Sequence, residues 1–308
     1  MGNMNENGGY LMVHFIGDTG DGEQIHFALS KDGLHYQDLN NGKPVLRSDV
    51  GECGARDPFI IRSYDGSRFY IIATDLRIAS QKGWTEAVTH GSQSVLIWES
   101  EDLVHFEGPR LVRVGIPEAG CVWAPEAIYD EKRQAYLMYF ASMVKREKDQ
   151  EPKQRIYAAW TKDFRSFEPT FLYIERENHV IDTTIVKQDS VYYRFSKDET
   201  TKNIHCDYSD DLLGEFKIKS CPELEAIPGV EGPAAVYLLE QKAWCLMIDR
   251  FATHSGYLPL LSDDLSKGKF RVLAEDQFDL GHLTKRHGSL LAVTEEEYQR
   301  LVKNYGKN

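Results

Sequence analysis

No run of apolar residues in this 308-residue chain approaches the roughly 20 needed to cross a membrane as a helix. Positive charge is in deficit. There are 36 Lys and Arg against 48 Asp and Glu, a net charge of -12, which disfavours nucleic acid or an anionic membrane as a partner and makes a neutral ligand easier to hold than an acidic one. Cysteine is sparse: Cys53, Cys121, Cys206, Cys221 and Cys245 are scattered, odd in number and without a CxxC pair. That argues against a disulfide framework and against a zinc site. The stretch from Met1 to Gly9 lacks the basic and apolar regions of a signal peptide, so the chain as given is expected in the cytoplasm. Met1-Gly2 could open a myristoylation signal, but nothing else in the sequence supports one. Helical periodicity is also scarce. It is convincing only near the end, where Thr294 begins a capping box with Glu297.

What remains is a chain of ordinary globular composition, 42% hydrophobic and 11% aromatic, built on a repeat. Ser30-Lys31-Asp32-Gly33-Leu34-His35-Tyr36 returns as Ser100-Glu101-Asp102-Leu103-Val104-His105-Phe106 and as Thr161-Lys162-Asp163-Phe164-Arg165-Ser166-Phe167. Shorter copies begin at Ser209 and Ser262. Ser or Thr with Asp two residues on makes a turn through side-chain to backbone hydrogen bonds, and each copy follows a β-prone run. A second unit is strand, short turn, strand, as in Phe59-Ile60-Ile61 through Asp65-Gly66 to Phe69-Tyr70-Ile71-Ile72. Together they predict an all-β fold, a five-bladed β-propeller with a period of about 40–50 residues. Four blades begin near Asp57, Trp123, Asp182 and Glu231. The fifth takes its inner strand from His287–Val293 and its outer strands from the N-terminal residues 10–36, so strands from the two chain ends close the ring within one sheet. One catalytic domain over 1–308 without a linker is expected.

Three carboxylates, Asp57, Asp182 and Glu231, stand in equivalent places, each opening an apolar run that leads through a turn into a second strand. Inner strands of a propeller run in one direction, so residues at their equivalent ends converge on the axis. Two carboxyl groups flanking a bond, with a third tuning them, is the chemistry of glycoside hydrolysis. A third carboxylate beside the acid is expected to raise its pKa by like-charge repulsion and keep it protonated. Loops between second and third strands should open on the same face, bringing Trp84, the charged loop near Lys145, Lys197-Asp198-Glu199 and Arg250 toward the acids. Trp84 and Trp123 are candidates to line or stack on a sugar, with a subunit contact and a core role as their respective alternatives. Arg250 is a candidate donor to sugar hydroxyls.

In order along the chain, Arg56-Asp57-Pro58, Trp123-Ala124-Pro125-Glu126, Ile181-Asp182, Glu231-Gly232-Pro233 and Arg286-His287-Gly288-Ser289 resemble glycoside hydrolase family 43, the five-bladed propellers that include α-L-arabinofuranosidases, arabinanases and β-xylosidases. The resemblance implies that Asp57 is the general base, Asp182 the pKa modulator and orienting acid, and Glu231 the general acid. It implies for His287 an axial place, where it either binds a central calcium ion through water or supports the carboxylates, and no other cofactor. The implied ligand is a neutral arabinose- or xylose-containing saccharide, cleaved with inversion at a terminal α-L-arabinofuranosyl or a xylosyl residue. About a blade of sequence precedes Asp57, a departure from the family's usual layout that the shared fifth blade accounts for. No stretch reads as the C-terminal β-sandwich of many xylosidases. The pocket is therefore expected to be walled by the chain's own loops or by a partner subunit of a homo-oligomer. The fructan-cleaving relatives of family 32 also carry Arg-Asp-Pro, but after an Asn-Asp-Pro-Asn nucleophile motif and before a Glu-Cys acid. Here no such motif precedes Asp57, and Glu52-Cys53 stands ahead of it. A non-catalytic glycan-binding propeller is a reading of a different class, which loss of a carboxylate would favour; all three are present.

Overall fold

The computed structural model describes residues 7–306. The ends of the domain expected over 1–308, and Met1–Glu6 of the segment read for a leader and for myristoylation, lie outside the described residues. The N-terminal segment supplies β1 (Asn7–Phe15), β2 (His26–Ser30) and β3 (Tyr36–Asp38). The first complete blade is β4 (Ala55–Arg62), β5 (Phe69–Asp75), β6 (Ser94–Ser100) and β7 (Phe106–Arg113), with the short helix α1 (Trp84–Thr89) inserted before β6. The second is β8 (Trp123–Asp130), β9 (Ala135–Val144), β10 (Lys153–Thr161) and β11 (Phe171–Ile174). The third is β12 (Val180–Gln188), β13 (Val191–Asp198), β14 (Asn203–Ser209) and β15 (Lys217–Lys219), followed by α2 (Pro222–Glu225). The fourth is β16 (Glu231–Leu238), β17 (Ala243–Asp249), β18 (Tyr257–Ser262) and β19 (Arg271–Val272). Last come β20 (Arg286–Thr294) and α3 (Glu295–Tyr305).

These strands form five four-stranded sheets, and the fifth has the order β20-β1-β2-β3. The two ends of the chain thus close the ring by pairing Tyr10 with Ala292 and Val13 with Ser289. Inner strands β4, β8, β12, β16 and β20 touch in that order and back to β4, which is a five-bladed propeller. Apolar clusters fill the gaps between blades. Trp98, Ile71 and Phe27 pack between the fifth and first blades, and Tyr139, Trp160 and Ile185 between the second and third. Because each blade is covered on both faces, a middle strand such as β5 is buried at every position and reads as a continuous apolar run rather than an alternating one. The outermost strand β7 is partly or fully exposed along its length.

The repeated turn does what its residues predict. Ser30 Oγ accepts from Gly33 N at 2.9 Å, and Asp32 Oδ1 accepts from Leu34 N and His35 N at 2.9 and 2.8 Å. Ser100 and Asp102 repeat the set. The copy at Ser262 departs from it: its Asp264 accepts from Ser266 N and from Gln188 of the neighbouring blade. Helix α3 starts with the expected capping box, Thr294 and Glu297 exchanging side-chain to backbone bonds.

Two histidines stack inside the fifth blade, His14 and His26, with ring centroids 5.7 Å apart. Burial, first of all, holds both below the ordinary 6.5, and Lys285 adds to this at His14. Below pH 6.5 the unfolded chain gains a proton at His14 that the folded chain refuses, so its contribution to stability falls with falling pH. Asp182 and Asp249, whose burial raises them, act in the opposite sense. The effect is therefore read against His14→Gln. Wild type should lose stability relative to this variant as pH falls below 6.5, with a slope approaching about 1.4 kcal/mol per pH unit until the folded His14 itself takes up a proton, in paired urea denaturations; a pH-independent difference would exclude it.

Candidate active site

All five inner strands carry one extra residue near their start. Register shifts fall after Arg56, Trp123, Ile181, Glu231 and, on β20, between Arg286 and Gly288. Such a bulge re-aims the side chains beside it. In four strands the first bulged residue is left-handed: Asp57, Ala124 and Asp182 at φ 48 and Gly232 at φ 52. Asp tolerates this region better than most residues. His287 is the extra residue on β20. Glu231 is therefore not equivalent to Asp57 and Asp182, as the sequence suggested. It precedes the bulge, at the place held by Arg56, Trp123, Ile181 and Arg286 in the other blades, and Gly232 holds the place of the aspartates. A Cβ on Gly232 would lie 2.5 Å from His287 Cγ, which with the positive φ explains Glu-Gly-Pro in place of a third Asp-Pro.

The result is a cavity of about 370 Å³ on the axis whose walls include Asp57, Asp182, Glu231, His287, Trp84 and Trp123. Thr74 donates to Asp57 Oδ2 at 2.8 Å and accepts from Ala124 N at 2.8 Å. His287 Nδ1 lies 3.6 Å from Asp57 and 3.8 Å from Asp182. Asp182 Oδ2 accepts from Gly232 N at 3.2 Å. Trp84 opens α1, is 49% exposed and meets Trp123 edge-on at 6.1 Å between ring centroids. Of the loops expected on this face, those carrying Trp84, Lys197 with Glu199, and Phe251 with His254 line the cavity; the charged loop near Lys145 does not, and the second blade contributes Gln154 of β10 instead. Arg250 is a correction. It is absent from the cavity wall, and its guanidinium bonds Gly256 O and Ser255 O and pairs with Glu275, so it holds its own loop together.

The electrostatics also correct the expectation for Glu231. Its carboxylate receives Lys197 Nζ at 2.8 Å and Arg286 Nη2 at 2.7 Å. Burial alone would raise its pKa, but these two cations outweigh it and hold the group below the usual glutamate value. The carboxyl pushed up, to about 6, is Asp182, through burial and with little help from its neighbours. Glu126 ends the motif Trp123-Ala124-Pro125-Glu126. It is 3% exposed, takes a bond from Tyr139 Oη at 3.3 Å, and burial raises it far above a glutamate's ordinary value. Arg56, one residue before Asp57, pairs with Asp18 and with fully buried Glu23. Arg286 bridges Glu231 and Asp249, the latter at 2.6 Å. The motif Arg-His-Gly-Ser signalled Arg286; nothing local signalled Asp18, which arrives from the N-terminal loop.

For a metal, the test is the donor set. Among the described residues no three His, Cys, Asp or Glu side chains are grouped to hold an ion. His287 faces the carboxylates of Asp57 and Asp182.

Comparison with known proteins bears on the family and the fold. A family model described as a probable glycosyl hydrolase domain matches residues 5–299. An α-L-arabinofuranosidase of Bifidobacterium longum subsp. longum is 32% identical over 261 residues, 76% of this chain and 24% of that protein. The chain thus spans about a quarter of the length of this curated relative. Among solved structures, a family-43 β-1,3-galactosidase with galactodeoxynojirimycin aligns with a TM-score of 0.57 at 14% identity, covering 90% of this chain and 96% of that one. A thermostable family-43 glycoside hydrolase aligns with a TM-score of 0.52 at 18% identity, covering 74% and 75%. At these identities the structural likeness speaks for the fold.

Proposed function

Because the chain belongs to glycoside hydrolase family 43, we propose that it hydrolyses terminal α-L-arabinofuranosyl residues of neutral saccharides with inversion. The observation that carries the reading is the convergence of Asp57, Asp182 and Glu231 on one axial cavity, joined to the 32% identity with a protein named as an arabinofuranosidase. Asp57 takes a proton from water as that oxygen bonds the anomeric carbon. Glu231, which Lys197 and Arg286 favour as a carboxylate, takes up a proton from solvent and gives it to the leaving oxygen as the glycosidic bond breaks. Asp182, bonded to the amide of Gly232 next to Glu231, orients that segment. In an inverting site the base and acid stand on opposite faces of the sugar.

A neutral sugar suits the walls. Arg56, Lys197 and Arg286 are each already paired with carboxylates, so a uronic acid would have to break one of these pairs. Trp84 and Trp123 offer apolar faces for a sugar ring.

The reading is tested by hydrolysis of 4-nitrophenyl α-L-arabinofuranoside and 4-nitrophenyl β-D-xylopyranoside side by side. Release from the arabinofuranoside in excess of the xyloside is expected, with the β-anomer of the product appearing first by NMR. Preference for the xyloside would assign the sugar differently. Inactivity on both and on arabinan and xylan would leave a glycan-binding propeller.

A further inference from the structure

Lys197 is the penultimate residue of β13, the strand beside Asp182, and its side chain is 3% exposed. Its ammonium stands 2.8 Å from Glu231 Oε2 and 2.6 Å from Glu199 Oε2, with the ring of Phe251 4.3 Å away. A buried ammonium without partners would be costly; this one has two carboxylates from different segments, one in the reacting centre and one on the lip. Glu231 has a second cation in Arg286, but that guanidinium is itself fixed by Asp249, whose other contact is the amide of His287. The two cations differ in what stands behind them. Asp249 is fully buried, whereas Glu199 is 28% exposed and also pairs with Lys202. The Lys197 arm alone reaches the mouth of the cavity, where solvent and an entering sugar can act on it.

We propose that Lys197 is the positioning residue of Glu231: its ammonium, divided between Glu231 and Glu199, sets the pH range in which Glu231 holds a transferable proton. This rests on the reading of Glu231 as the general acid. The charges facing Glu231 come from every element around it. Lys197 on β13, with Arg286 and His287 on β20, favours the carboxylate. Asp182 on β12 and Asp249 on β17 oppose it, since each is itself raised by Glu231. Asp57 on β4 and His254 after β17 share the cavity. Of these, Lys197 is the largest charge acting on Glu231. Weakening its other tie should strengthen its hold on Glu231, and removing it should release the carboxylate. Opposite shifts from two substitutions are the signature, and a loss of packing would not produce them.

The experiment takes kcat/KM against pH for the full chain on aryl arabinofuranosides with good and poor leaving groups. Glu231→Ala first identifies the limb that belongs to Glu231, because its loss should be large for poor leaving groups and small for good ones. Lys197→Met should then move that limb to higher pH by about 1–3 units, the range for an opposite charge at contact distance. Glu199→Gln should move it to lower pH. Lys197→Arg, which keeps the cation, should restore most of the wild-type profile and guards against a variant that is merely misfolded. Shifts in the same direction, or a limb that stays in place in all three, would overturn the role of Lys197 while leaving Glu231 as the acid. Equal losses on both leaving-group classes in Glu231→Ala would remove Glu231 from the acid role and this inference with it.

Discussion

Asp57→Asn is expected to lower kcat by about 10²–10⁴-fold, the usual worth of a positioned general base, while the midpoint of thermal unfolding stays near wild type. The structure gives a reason for both halves. An amide occupies the same space and tolerates the left-handed backbone at φ 48 as well as aspartate does. It can also still accept the bond from Thr74 that ties the first blade to Ala124 of the second. What it cannot do is take a proton from water. His287 Nδ1, 3.6 Å from Asp57 and 3.8 Å from Asp182, keeps a carboxylate neighbour in the variant, so the imidazole is not left alone in a buried site. The measurement is kcat on the aryl arabinofuranoside beside a thermal melt. An intact melt with kcat reduced less than tenfold would take the base role from Asp57 and pass it to the other carboxylate on the same imidazole.

The blades were legible because they repeat. A Ser or Thr with an Asp two residues later satisfies its own turn locally, so the sequence announces each turn without reference to the rest of the fold. Closure by the two chain ends followed from counting: four inner strands began with recognisable motifs, and a fifth had to be shared. The site was legible to the level of which strand starts converge. The phase within those starts was not. Glu231 and Asp57 look alike in sequence because both open an apolar run, yet a one-residue bulge separates their positions. Ala124 shows that the left-handed place need not carry an acid. The loop that carries Arg250 does reach the cavity, through Phe251 and His254. The carbonyls of Gly256 and Ser255 and the carboxylate of Glu275 claim the Arg250 guanidinium first. Long-range pairs such as Lys197 with Glu231 and Arg56 with Asp18 decide the charge state of the cavity, and no spacing in one strand encodes a partner in another. That is also why like-charge repulsion was expected to govern Glu231, where two cations do.

Arg56→Met should destabilise the fold by about 3–5 kcal/mol, the cost of stripping the partner from a buried charge. Glu23 is the charge in question. It is fully buried and accepts from Arg56 Nη1 at 2.9 Å and from the amides of Ile78 and Ala79 at 2.7 and 2.8 Å. The three bonds join the N-terminal loop, the base-bearing strand and the segment leading to Trp84. Without the guanidinium, Glu23 keeps two amide donors and no countercharge, while Asp18, 40% exposed, can turn to water. The test is therefore a rescue. Glu23→Gln removes the stranded charge at the cost of one amide bond, because Ile78 N and Ala79 N donate to different oxygens of Glu23; relief of the charge outweighs that bond, so Arg56→Met/Glu23→Gln should be more stable than Arg56→Met alone, although it carries one more substitution. Urea denaturation of the four proteins measures this directly. A double variant no more stable than the single would mean that lost packing of Arg56 against Phe15 and Trp84, whose rings lie 4.4 and 5.2 Å from the guanidinium carbon, outweighs the charge. If the charge dominates, the rescued protein should regain its stability but not its affinity. Trp84 would still lack the cation beneath it, and KM for the arabinofuranoside should stay raised while the unfolding midpoint recovers.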